Sequence, residues 1–224
     1  MIATILMEDT DPCNGLKFEH GFSVFVETDR TKLIVDSGAS DATWENAKTL
    51  GVDVRSADMF FLSHGHYDHS DGLPAFAGIN PSATVYMHPN AVLAYYNLGY
   101  GYDKYIGVDP KVRALRNISY IVEDTRISPE VFVFCHVTGR RKWPAGNLNL
   151  KVKQHDRLIQ DSFDHELYTV VSENGKTVLI SGCAHNGILN ILDRFRAIYG
   201  RDPDAVISGF HTMKKAFTQR MKWI

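Results

Sequence analysis

Apolar residues come in short runs through the first half of the chain, and most of those runs predict strands. Residues 1–7 read as a first strand that passes directly into the acidic Glu8, Asp9 and Asp11. Residues 22–28 and Lys32–Val35 predict a hairpin joined at Asp29-Arg30. Gly38-Ala39-Ser40-Asp41 can cap a helix over residues 42–50, which Gly51 would stop. Residues 59–62 are apolar throughout, as in a short, fully buried strand. Thr84–Met87 predicts another strand, residues 91–98 a helix, residues 99–107 a Gly- and Tyr-rich loop, and residues 130–137 a return to strand.

The second half carries a sharper local signal. Residues 167–172 and 177–181 flank Glu173-Asn174-Gly175-Lys176, and Asn-Gly between β-rich runs predicts a type I′ hairpin, which needs positive φ at both central residues. Residues 187–199 predict an amphipathic helix with Ile188, Leu189, Ile191, Leu192 and Phe195 on overlapping faces. Ala205–Ser208 reads as a strand and residues 213–224 as a closing helix. Two sets of strands with helices outside them predict a layered α/β (α+β) sandwich, and no linker divides residues 1–224 into more than one domain.

Composition narrows the partners. The 224 residues are 44% hydrophobic, enough for a core without staples, and 24 basic against 26 acidic residues leave a formal charge of -2. No block of like charges offers a footprint for nucleic acid or an anionic membrane. No stretch of 18 apolar residues and no basic leader is present, so the expectation is a cytoplasmic protein that acts on a small molecule. Cys13, Cys135 and Cys183 lack C-x-x-C spacing, which argues against a disulfide framework or zinc ribbon.

The candidate chemistry lies just after the apolar strand at 59–62. Ser63-His64-Gly65-His66-Tyr67-Asp68-His69-Ser70-Asp71-Gly72 packs three histidines and two aspartates between His64 and Asp71. Chance would place H-x-H-x-D-H in a chain of this composition on the order of 0.002 times. In extended backbone His64 and His66 point the same way and can share a cation, while a turn at Tyr67 offers Asp68 and His69 to a second position. Gly65 would let the backbone pass close to the metal. His185 in Ser181-Gly182-Cys183-Ala184-His185 and His211 in Ser208-Gly209-Phe210-His211 each follow an apolar strand and a Ser-Gly step, where distant ligands can converge.

The H-x-H-x-D-H motif, preceded by Ile34-Val35-Asp36-Ser37-Gly38, resembles the metallo-β-lactamase fold superfamily. Glu19-His20-Gly21-Phe22-Ser23, Ser181-Gly182-Cys183-Ala184-His185-Asn186-Gly187 and Ser208-Gly209-Phe210-His211 are similar to the branch containing the dihydropterin-ribofuranosylaminobenzene phosphate synthases. The resemblance implies a four-layer αββα sandwich with metals at one rim, His64 and His66 on one metal, Asp68 and His69 on the other, and Asp36 behind them. It also implies Cys183 as a thiolate ligand, against the plain alternative of a buried small side chain, and His165 of Asp164-His165-Glu166 as a further ligand, against a surface loop. Relatives in that branch continue to a strand bearing His-Cys-Thr-Gly, beyond the point where this sequence stops at Ile224. The corresponding expectation is one metal bound more tightly than the other, with an open sheet edge that homo-oligomerisation would cover.

Together these residues predict a metal-dependent hydrolase acting on a small molecule through a metal-activated water, with Asp68 both holding metal and orienting that water. One or two divalent cations per chain are expected; the donor set suits zinc, and manganese or iron bind similar sets. The alternatives are a dihydropterin-aryl transferase-like enzyme, using the Tyr95–Tyr105 stretch as an aromatic slot and Arg140 and Arg141 as an anion clamp, or a metal-binding protein without turnover. His20, His88, His136 and His155 have plainer readings as structural or exposed side chains, with His88 the nearest to the expected rim.

Overall fold

The side chains of each central strand alternate between two different cores, and that alternation builds the layers. The computed structural model describes residues 1–12 and 15–211; Cys13 and the predicted helix at 213–224 lie outside the described residues. In chain order the strands are β1 (Ile2–Met7), β2 (Ser23–Glu27), β3 (Lys32–Val35), β4 (Met59–Phe61), β5 (Thr84–Met87), β6 (Tyr95–Asn97), β7 (Lys104–Tyr105) and β8 (Ile118–Tyr120), followed by β9 (Thr125–Arg126), β10 (Val131–Phe134), β11 (Leu150–Gln154), β12 (Arg157–Gln160), β13 (Tyr168–Glu173), β14 (Lys176–Ser181) and β15 (Ala205–Ser208). The helices are α1 (Ala42–Thr49), α2 (Tyr67–Ser70), α3 (Leu73–Ile79), α4 (Pro110–Arg113) and α5 (Ile188–Tyr199). They form a six-stranded sheet ordered β1-β2-β3-β4-β5-β8, a five-stranded sheet β15-β14-β13-β10-β9 and a four-stranded sheet β12-β11-β6-β7.

Phe25, Ile34, Phe60 and Val85 face outward from the first sheet onto Trp44 and Ala47 of α1 and Leu73 and Phe76 of α3. Their alternating neighbours Val24, Val26, Leu33, Val35 and Phe61 face inward onto Val131, Val133, Val171 and Ile180 of the second sheet. The outer face of that sheet, through Tyr168, Val170 and Leu179, is covered by Ile191 and Phe195 of α5. The order is therefore helix, sheet, sheet, helix, the expected αββα sandwich. No helix among the described residues is long and apolar enough to cross a membrane. Cys135 and Cys183 are both free.

Register and direction explain where the rim lies. β3, β4 and β5 run parallel, so the segments after Val35, Phe61 and Met87 leave the first sheet at one end. β14 and β15 are also parallel, which brings the segments after Ser181 and Ser208 together. The Asn-Gly hairpin forms as its sequence predicts: Glu173 pairs with Lys176, and Asn174 and Gly175 have φ of 51° and 76°.

Three expectations are corrected. Residues 91–98 do not form a helix; a 3-10 turn at Pro89–Val92 leads into β6, because Tyr95, Tyr96 and Asn97 pair with Val152, Lys151 and Leu150 of β11. Residues 99–107 are only partly loop, since Lys104 and Tyr105 pair back onto β6. The strands fall into three sheets rather than two, and the third encloses its own core of Tyr95, Ile106, Leu150, Val152 and Phe163 beside the rim. The α1 prediction stands to within a residue, but Asp41 makes no side-chain cap; Ser40 Oγ accepts the Ala42 N–H at 3.2 Å instead.

Candidate metal centre

The segment after β4 is tied to the segment after β3 before any histidine appears. Ser63 donates its backbone N–H to Asp36 Oδ1 at 2.7 Å and its hydroxyl to Asp36 Oδ2 at 2.6 Å. Asp36 is fully buried and takes φ of 61°, a left-handed conformation that aspartate tolerates better than most residues. From that anchor the chain bends at His64 and Gly65, where an extended run was expected, and is extended at His66, φ −108°, ψ 146°, immediately before the single turn α2, which carries Asp68 and His69. The His64 ring centroid lies 4.6 Å from that of His66 and 4.2 Å from that of His69.

Gly65 serves a different contact from the one expected. A side chain there would meet the Ala91 carbonyl carbon at 2.7 Å, so the glycine allows two backbone segments to touch.

The outer hydrogen bonds decide where each imidazole presents its lone pair. Ser63 Oγ donates to Asp36 and therefore accepts from His64 Nδ1 at 2.8 Å, leaving His64 Nε2 as the lone-pair nitrogen. Asn147 Nδ2 donates to the His185 carbonyl at 2.7 Å, which turns Asn147 Oδ1 toward His185 Nδ1 at 3.0 Å as an acceptor. His185 Nε2 is thus also a lone-pair nitrogen. The two face each other at 3.3 Å with no proton between them. His66 Nε2 is buried close by without a hydrogen-bond partner among the described residues.

A second group lies alongside. Asp36 Oδ2 accepts from His69 Nδ1 at 2.6 Å, so His69 Nε2 faces inward, 3.0 Å from Cys183 Sγ and 3.3 Å from Asp68 Oδ2. The donor atoms of His64, Cys183 and His185, and of Asp68, His69 and Cys183, each lie within 4.8 Å of one another. A buried orphan imidazole, two opposed lone pairs and a thiol beside a carboxylate form a donor set that fits one or two divalent cations. Burial, reinforced by the neighbouring histidines, holds His64 and His185 well below the ordinary imidazole range, and burial brings His66 to about 3. Burial opposes the charged form of His69 as well, but Cys183, Asp36 and Asp68 outweigh it and carry His69 well above that range. Burial also raises the Cys183 thiol.

His211 packs its ring 4.2 Å from that of His185 but shares no donor cluster with it, and burial lowers it to about 4. His165 is buried, not on a surface loop, and clusters with His66 and Asp161. Glu166 is buried and accepts the backbone N–H groups of His185 at 2.6 Å and Asn186 at 2.9 Å and the Tyr168 hydroxyl at 2.6 Å, which fixes the loop carrying His185. Arg140 is exposed and donates to Asn186 Oδ1, the Gly139 carbonyl and, at 3.4 Å, the Ser162 carbonyl. Asn147 and Asp161 are not singled out by the sequence, and a third residue, His20, has there only a plain reading as structural or exposed. Glu19 anchors the last of these by accepting from Ala39 N–H and Ser40 Oγ, and His20 stands 45% exposed with Nε2 3.5 Å from Asp68 Oδ2.

Residues 16–143 match the family model of the metallo-beta-lactamase superfamily. A solved structure described as a metal-dependent hydrolase of the beta-lactamase superfamily is 30% identical, with a TM-score of 0.80 over 96% of this chain and 78% of that one. The 7,8-dihydropterin-6-methyl-4-(beta-D-ribofuranosyl)-aminobenzene-5'-phosphate synthase of Methanocaldococcus jannaschii is 26% identical over 211 residues, 86% of this chain and 71% of that protein. An uncharacterized protein of the same organism is 26% identical over 201 residues, 86% of this chain and 73% of its own length. The Rm3 metallo-beta-lactamase, at 17% identity and a TM-score of 0.51, shares the fold over 87% of this chain and 74% of its own.

Proposed function

Because the chain belongs to the metallo-beta-lactamase superfamily, we propose that it is a metal-dependent hydrolase of a small molecule, with its reaction centre at the His64–His69 rim. The observation that carries this reading is the pair of opposed lone pairs on His64 and His185, 3.3 Å apart, beside the orphaned Nε2 of His66. Neutral imidazoles repel in that arrangement, and a shared cation turns the repulsion into coordination. His64, His66 and His185 would hold one cation; Asp68, His69 and Cys183 would hold the other, with His211 at the edge of the site.

When bound, such cations supply Lewis acidity and lower the pKa of a coordinated water toward neutrality. The protein's own part is to hold the donors rigid. Asp36 orients His69 directly and His64 through Ser63, Asn147 orients His185, and Asp68 presents a carboxylate beside His20 that can accept a proton. His66 is held by its burial and by the rings of Tyr95 and Phe163 set edge-on to it.

A second reading is a transferase like the dihydropterin relative, favoured by the aromatic surface beside the rim. Lys104 lies over the rings of Tyr67 and Tyr100, Tyr102 stands next to Tyr100, and Tyr95 of the same small sheet contacts His66. Elemental analysis of protein purified without added metal, followed by assays on phosphodiesters, lactones and thioesters, tests the hydrolase. About one to two equivalents of metal and a hydrolysis abolished by chelation and by His66→Ala are expected. Bound metal with no hydrolysis of any of the three classes would shift the reading to the transferase, and protein that binds no metal would overturn both.

A further inference from the structure

His185 and His165 are both buried against the His64–His66 segment, from different loops, and their hydrogen bonds treat them oppositely. His185 keeps a lone pair directed at His64. His165 keeps none. Its Nδ1 accepts the Gly65 backbone N–H at 3.0 Å, and because a backbone amide only donates, that nitrogen's lone pair is occupied. A neutral imidazole unprotonated at Nδ1 carries its proton at Nε2, which lies 3.3 Å from Asp161 Oδ2 and donates there. Asp161 is fixed in turn by accepting the Phe163 N–H at 2.8 Å. The Tyr95 ring, centroid 4.4 Å away, covers His165, and Tyr95 is held by donating its hydroxyl to the Asn90 carbonyl at 2.6 Å. Turning His165 to free a nitrogen would break the Gly65 bond, the Asp161 bond and the Tyr95 contact together.

We infer that His165 is a positioning residue and not a metal ligand: it grips the amide of Gly65, the residue between His64 and His66, so that both rings meet the cation that His185 completes. The inference rests on the metal-centre reading above and goes beyond it by excluding the histidine that sequence resemblance offers as a ligand. Gly65 is clamped from two sides, by His165 on its amide and by the Ala91 carbonyl against its α-carbon, so the spacing of the two rings is set by contacts that never touch metal.

Cobalt(II) titration of the full chain tests this with two variants. His165→Asn keeps an acceptor near the Nδ1 position, and His165→Gln keeps a donor near the Nε2 position. Both should take up as many cobalt equivalents as the wild type, with unchanged positions of the ligand-field absorption bands and an affinity lowered by less than about 100-fold. His185→Asn should lose an equivalent or move the bands. Hydrogen exchange at the Gly65 amide supplies a readout free of metal: slow in the wild type and in His165→Asn, fast in His165→Gln. Loss of an equivalent, or shifted bands, in both His165 variants would overturn the inference. If either variant fails to fold, ¹⁵N-histidine spectra of the wild type decide it, since loss of the His165 Nε2 proton on adding zinc would show ligation. A wild-type chain that takes up no cobalt would overturn the metal-centre reading itself, a result separable from every variant comparison.

Discussion

Asp36 Oδ2 lies 2.6 Å from His69 Nδ1 and 2.6 Å from Ser63 Oγ, so one buried carboxylate backs a histidine of each metal position, His69 directly and His64 through the serine. Asp36→Asn keeps the volume and the tolerance for a left-handed φ but replaces an acceptor with an N–H donor facing other donors. Metal affinity should fall about 10- to 100-fold at both positions together. Asp36→Ala leaves Ser63 and His69 without their common acceptor and should destabilise the metal-free protein by about 3–5 kcal/mol, read from urea denaturation. Weakening at only one position would show that the two are not coupled through this carboxylate.

The parts of this site legible in sequence were those whose residues are neighbours in it. His64, His66, Asp68 and His69 sit within six residues, and the strand that delivers them is apolar throughout. The apolar, β-rich runs of β2, β3 and β14 and the Asn174-Gly175 turn likewise encode their own conformation. Asn147 was invisible because its role exists only through His185, 38 residues away, and nothing in a Gly-Asn-Leu-Asn turn announces it. Asp161 is hidden for the same reason, and the plain reading of His20 as structural or exposed leaves out its reach to Asp68, which crosses loops without periodicity. Residues 91–98 were misread because a short apolar, aromatic run suits helix or strand, and pairing with β11, more than 50 residues on, settled it.

Gly65 and Gly182 make the close approaches on which the site depends. A methyl group at Gly65 would meet Ala91 backbone, which cannot swing aside, and one at Gly182 would meet Ser63 Cβ and Asp36 Oδ2, both at 2.9 Å. Gly65→Ala should therefore displace His64 and His66 together, abolish cobalt uptake at micromolar concentrations and lower the thermal midpoint. Gly51→Ala is the contrast, because no atom of the described residues lies within 4 Å of its missing side chain, and the cost expected is that of the positive φ of 72°. Unchanged cobalt binding in Gly65→Ala would refute the clamp on this segment.

The metal-free protein should lose stability as pH falls below neutrality. Burial holds His64 and His185 well below their unfolded value of about 6.5, His66 at about 3 and His211 at about 4, so between these values the unfolded chain binds protons that the folded chain refuses. Each such imidazole contributes a loss of about 1.4 kcal/mol for every pH unit crossed, beginning near pH 6.5 and ending at its folded value. His69 acts in the opposite sense. Its raised value contributes stability that is complete below pH 6.5 and lost only as pH rises through the folded value, but it is one imidazole against five, since burial also lowers His88 to about 4. Urea midpoints of chelated protein from pH 7.5 to 5 should fall steadily, and saturating zinc should slow the fall by removing these imidazoles from titration until the metal is displaced. A midpoint flat across that range would contradict the buried, neutral state of the cluster.

His20 separates chemistry from architecture. Its ring is half-exposed, reaches Asp68 Oδ2 at 3.5 Å and Asp9 Oδ1 at 3.6 Å, and is held by neither the cores nor the outer hydrogen bonds of the donor set. Removing it should leave folding and metal loading alone, since exposed substitutions seldom move stability by more than about 0.5 kcal/mol. It should still slow a reaction in which Asp68 passes a proton to solvent. His20→Ala is expected to match the wild type in urea midpoint and cobalt stoichiometry while lowering kcat on a hydrolysed phosphodiester by about 100-fold, with KM little changed. Partial recovery in added imidazole would identify the lost function as proton transfer. A fall in cobalt stoichiometry would instead make His20 part of the metal-holding set, and unchanged kcat would mean that Asp68 exchanges its proton by another route.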